Sequence, residues 1–139
     1  MIMNKLGLKI ILVLALSVTA GPLLAGGFHD GVSAYEKGDL AGTLKAWRPA
    51  AEQGDMLAQF NLGALYEHGR GVKKDLSEAA KWYRKAAEQG NALAQYYLGA
   101  FYANGEGVEK NLPEATAWYR KAAAHGVPQA QEALKKLSK

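Results

Sequence analysis

The 139-residue sequence predicts an all-α solenoid of antiparallel helix hairpins, about three of them followed by a C-terminal capping helix. Two observations carry this reading. Residues 50–85 and 86–121 align without a gap and agree at 23 of 36 positions. Within each unit the apolar residues recur at helical spacing, three and four apart, and not at the two-residue spacing of strands. One hairpin cannot bury its own apolar stripe, so repeated hairpins are expected to stack.

The first 25 residues differ from the rest. Two lysines precede the apolar run IILVLALSVTA, and GPLLA brings a helix breaker and a small residue. That order predicts a secretory signal peptide over 1–25, cut after Ala25, with an uncleaved inner-membrane anchor as the alternative. Loss of Lys5 and Lys9 with the leader would lower the net charge from +4 to +2. A periplasmic or secreted protein is expected, with no nucleic-acid partner and no stable membrane span after cleavage. The absence of cysteine excludes disulfides, thiolate metal sites, cysteine nucleophiles and a lipidated cysteine.

Residues 26–49 form a shorter hairpin, whose second helix is expected to run on to about residue 53. DLAGTLKAWRP (39–49) is in register with DLSEAAKWYRK (75–85). In the unit 50–85, Asp55 caps a first helix carrying Ala58, Leu62, Gly63, Leu65 and Tyr66, and Asp75 caps the second, with Glu78 placed for a capping box. In 86–121, Asn91, Asn111 and Glu114 repeat these roles. Pro113 falls in a first turn, where its missing N–H does no harm. Gly54, Gly90 and Gly126 each follow a second helix, where a left-handed residue is wanted. Gly63 and Gly99 sit mid-helix, which predicts close approach of the paired helix. In 122–139, Ala130, Leu134 and Leu137 keep the stripe while Glu132 and Lys135 replace Tyr96 and Gly99, as suits a capping helix.

The stretch HGRGVKKDL (68–76) has the glycines of a phosphate loop, but its copy reads NGEGVEKNL. Arg70 becomes Glu106 and Lys73 becomes Glu109, while both glycines and the valine persist. A phosphate site needs the charge and a turn needs only the glycines, so this is a helix–helix turn. No nucleophile–base pair, paired acids or ligand-spaced histidines stand out. No enzyme activity, catalytic residue, cofactor or metal site is therefore expected, with a hydrolase as the least favoured alternative. Trp47, Trp82 and Trp118 are read as core or inter-repeat wedges.

The series A-x-x-x-LG-x-x-Y-x-x-G-x-G-V, followed by W-Y-x-K-A-A-x-x-G, at 58–90 and 94–126 resembles the Sel-1-like repeat, a relative of the tetratricopeptide repeat. AYEKGDLAGTLKAW (34–47) is nearer the tetratricopeptide form. The resemblance implies a right-handed solenoid that scaffolds protein–protein contacts, in an exported bacterial protein. It also implies that first helices line a concave face. Phe60, Asn61, Ala64 and Glu67, then Tyr96, Tyr97, Ala100 and Asn104, would present there to a protein or peptide of the envelope or beyond the cell. The alternative is that Phe60 and Tyr96 pack on the neighbouring hairpin. Binding of peptidoglycan or another envelope polymer is the second functional reading. Three hairpins leave an open end for the partner or a second copy to cover, so weak self-association is also expected.

Overall fold

The computed structural model describes residues 2–3, 9–10 and 22–139. Among these are seven helices: α1 Pro22–Glu36, α2 Leu40–Glu52, α3 Met56–His68, α4 Leu76–Glu88, α5 Ala92–Asn104, α6 Leu112–Ala124 and α7 Pro128–Leu137. The two short strands, β1 (Ile2–Met3) and β2 (Lys9–Ile10), pair antiparallel. Ala25, the expected cleavage point, lies inside α1, and most of the expected leader lies outside the described residues. No helix among the described residues is long and apolar enough to cross a membrane.

The helices belong to two compact units, Met1–Lys74 and Asp75–Lys139. In each, every helix packs on the next in sequence, α1 on α2 on α3 and α4 on α5 on α6 on α7. Every cap expected from the sequence forms. The Asp55 and Asn91 side chains accept from the Ala58 and Ala94 amides at 2.8 Å, and those of Asp75 and Asn111 accept from Glu78 and Glu114 at 3.0 Å. Each cap stabilises its helix by about 1 kcal/mol. The glutamate half of the capping box takes other partners. Glu78 reaches Lys81 at 3.4 Å, and Glu114 accepts from Trp118 Nε1 at 3.1 Å.

In the first unit Trp47 is wholly buried, stacked between Phe28 and Tyr35, with its Nε1 donating to the Phe28 carbonyl at 3.0 Å. In the repeat register its successors are Tyr83 and Tyr119, not the other tryptophans. Tyr83 stacks on Tyr97 at 5.4 Å and meets the edge of Phe101 at 5.7 Å. Tyr119 joins Ala115, Ala122, Val127 and Ala130 in the core of the second unit. Trp82 and Trp118 are also buried, each with a lysine (Lys85, Lys121) over its ring. On α7, Ala130 is buried and Leu134 is half-buried, but Leu137 departs from the expected stripe and is 37% exposed.

A second contact recurs in both units. Arg48 of α2 donates to the Tyr66 hydroxyl of α3 at 2.9 Å, with its guanidinium 6.0 Å from the ring centre. Arg84 of α4 donates to the Tyr102 hydroxyl of α5 and lies 5.5 Å from that ring. Each arginine thus joins the end of one hairpin to the first helix of the next through both a hydrogen bond and a cation–π contact.

The turn reading of HGRGVKKDL holds in the backbone. Gly69 and Gly71 have φ of +64° and +69°, and Gly105 and Gly107 repeat this at +69° and +66°. At Gly107 a Cβ would also lie 2.1 Å from the Leu76 carbonyl oxygen. At Gly99 a Cβ would meet the Tyr119 ring at 2.8 Å, which is the close approach expected there. Backbone cannot yield where a ring can tilt, and alanine within a helix regains about 1 kcal/mol over glycine. Urea unfolding should therefore show Gly107→Ala losing about 2 kcal/mol or more and Gly99→Ala losing less. The reverse order would contradict this packing.

Candidate functional site

The eight expected face residues divide between the units. In the first, Phe60, Asn61 and Ala64 are at most 2% exposed, and only Glu67 and the rim beyond it meet solvent. Phe60 is buried and does not offer its ring to solvent in this structure. Asn61 is different. Its Nδ2 and Oδ1 are buried with no hydrogen-bond partner among the described residues. An unpaired buried amide costs about 1–3 kcal/mol.

In the second unit, Tyr96, Ala100 and Asn104 come together. They line one wall of an open cleft of about 550 Å³, with Tyr119 of α6 and Gln129 and Glu132 of α7 around it. Helical spacing of four places the three α5 residues in a row. Tyr97 does not line this cleft; its ring is stacked on Tyr83 and meets Tyr96 in an edge-type contact, both at 5.4 Å. Tyr96 and Tyr119 lie 5.8 Å apart and tilted, which gives the cleft an aromatic wall beside the amides of Asn104 and Gln129. Lys136 adds a positive charge at the rim, and a hydrogen bond from Lys135 holds the Glu132 carboxyl below its ordinary range. Rings for apolar contact and amides for a backbone suit an extended peptide.

The α7 half of this cleft was missed in the sequence. So was Gln95. It is 3% exposed, its Nε2 donates to the Ala87 carbonyl of α4 at 3.1 Å, and its Oε1 lies 3.1 Å from His125 Nδ1. An amide oxygen only accepts, so Nδ1 of His125 carries the proton. Gln59 makes the corresponding bond to Ala51 at 3.0 Å in the first unit. Recurrence of glutamine at this register was the available signal. Among the described residues no three His, Asp or Glu side chains gather as a metal site would require.

The Sel1 repeat family model matches residues 57–91 and 92–127, just over half the chain. The chain belongs to the Sel1 repeat family. Its two matched Sel1 repeats are the units with the long glycine turn. Among solved structures, a Sel1 repeat protein from Oxalobacter formigenes shares 38% identity over 81% of this chain and 88% of that one, with a TM-score of 0.76. A protective antigen of uropathogenic Escherichia coli strains, displaying an SLR fold, shares 36% identity over 79% of this chain but 24% of its own, with a TM-score of 0.74. Cysteine rich protein B of Helicobacter pylori shares 26% identity over 81% of this chain and 89% of that one, with a TM-score of 0.70. No curated protein sequence matches the chain closely enough to count as a relative. These likenesses make the fold an all-α helical-repeat solenoid. Sel1 repeat proteins are generally scaffolds for protein–protein contacts, and the fold is typically non-catalytic.

Burial, and then the neighbouring Tyr96, push the Tyr119 hydroxyl up to about 12. An unfolded tyrosine ionises near pH 10. Between these values the unfolded chain binds fewer protons than the native one, so native stability must fall as pH rises from about 10 to about 12. Absorbance titration at 295 nm should show a late-ionising tyrosine that Tyr119→Phe removes. A titration completed near pH 10 in the folded protein would contradict a buried Tyr119.

Proposed function

We propose that this Sel1 repeat protein is an exported, non-catalytic adaptor that holds an extended peptide or protein segment on its first-helix face. The observation that carries the reading is the cleft of Tyr96, Ala100 and Asn104 against Tyr119 and α7. Three residues singled out as partner-facing on sequence grounds there share one accessible wall. Export rests on the leader-like order of residues 1–25. N-terminal sequencing of the protein from a periplasmic fraction would give Gly26 as the first residue, whereas recovery of an intact Met1 would count against cleavage.

Cross-linked capture from the cell envelope tests the binding face. Tyr96→Ala, once circular dichroism shows the helices intact, should lower recovery of the wild-type partner by about tenfold or more, the effect of losing an aromatic anchor. Equal recovery would remove the cleft from the interface. Retention on cell-wall material with no captured protein would favour polymer binding instead.

A further inference from the structure

The Arg–Tyr contacts recur at a fixed register, and the third arginine lacks its tyrosine. Arg48 meets Tyr66 and Arg84 meets Tyr102, each pair 18 residues apart. One repeat further on, Arg120 stands in the arginine position, but the residue 18 positions later is Ser138. The Ser138 hydroxyl is turned to the Lys135 carbonyl at 2.9 Å. Beside Arg120 lies instead an open depression of about 480 Å³, bounded by Thr116, Leu134, Lys135, Leu137 and Ser138.

The walls identify what the depression would hold. Thr116, Arg120, Leu134, Leu137 and Ser138 are the register successors of Ala80, Arg84, Leu98, Phe101 and Tyr102. The depression therefore occupies the place where, one repeat earlier, the Tyr102 phenol lies against Arg84. Leu137 shows the consequence, being 37% exposed where Phe101 is 2% exposed. A phenol supplies what Arg120 lacks, an acceptor oxygen for the guanidinium and a ring face for the cation. Lys135 is held by Glu132 at 2.9 Å, so the Arg120 guanidinium is the charge that favours carboxylates beside that phenol.

We propose that this depression is a docking socket for a tyrosine on a helix of a partner protein, with glutamates or aspartates flanking the tyrosine. The partner helix continues the Arg–Tyr interface that already joins consecutive hairpins within each unit. The socket uses α6 and the side of α7 away from the Tyr96 cleft, so it adds a second surface to the adaptor and takes from that reading only that the partner is a protein.

The test uses a helical peptide with one central tyrosine and glutamates four residues to either side, titrated into the ¹⁵N-labelled protein. The expected result is a set of amide shift changes at Thr116, Arg120, Leu134 and Leu137. Replacing the peptide tyrosine by phenylalanine, or Arg120→Ala in the protein, should weaken binding by about tenfold, as loss of a hydrogen bond to a charged group does. Arg120 is exposed, so its variant keeps the core. Ser138→Tyr gives a second check, because filling the socket from within should raise the melting temperature and block the peptide. Three results would overturn the proposal: no shifts at millimolar peptide, equal binding of the phenylalanine peptide, or no effect of either variant. Shifts confined to Tyr96 and Asn104 would also overturn it, while leaving the first-helix face as the binding surface.

Discussion

A single buried amide ties the second unit together. Gln95 of α5 gives its hydrogens to the end of α4 and its oxygen to His125 at the end of α6. The last carbonyls of a helix have no partner within it, and a buried helix end must find one elsewhere. Here the Ala87 carbonyl takes a turn bond from the Gly90 amide at 3.0 Å, and the next helix in the solenoid adds a second. Gln59 does the same between α2 and α3. The bond is directional where apolar burial is not, so it sets the register in which one hairpin follows another. Once that register is set, small residues are required around it. Ala58, Ala86, Ala94, Ala115, Ala122 and Ala130 are fully buried, and Gly99 lies under the Tyr119 ring.

The same spacing distributes function. Residues that fix the register repeat, and some of the residues that differ between repeats fall beside them on the first helices. Asn61 and Tyr97 occupy one register position but have opposite fates, an unpaired buried amide in one unit and a ring stacked on Tyr83 in the other. The outer contacts are organised by the same rule. Arg48 and Arg84 each clasp a tyrosine of the following helix, and Arg120 finds Ser138 at that register instead. The two surfaces proposed for binding lie where repetition lapses.

Much of this was legible in the sequence because each decisive signal is local. Asp55, Asp75, Asn91 and Asn111 cap helices within three residues of themselves, and the glycine turns need only their own left-handed φ. The family resemblance read from the two long repeats agrees with the family match. What escaped depends on competing local partners or on contacts between distant residues. Glu78 and Glu114 stand at capping-box spacing, yet Lys81 and Trp118 compete for them. Nothing local marks His125 as a partner of Gln95, and only packing brings the two together from 30 residues apart. Phe60 and Tyr96 share a register position, but Phe60 is buried and Tyr96 reaches a cleft, a difference that periodicity does not encode.

The claim that buried glutamine amides set the stacking of hairpins is tested most directly by Gln95→Met, which keeps the side chain's length and removes both bonds. Urea unfolding of the variant should show a loss of about 1–3 kcal/mol, the cost of leaving a buried polar partner short of a bond. His125 should lose its fixed ring position, visible as a change in its imidazole resonances. An unchanged unfolding midpoint with an unchanged His125 signal would contradict the account, and would assign the register to apolar packing alone.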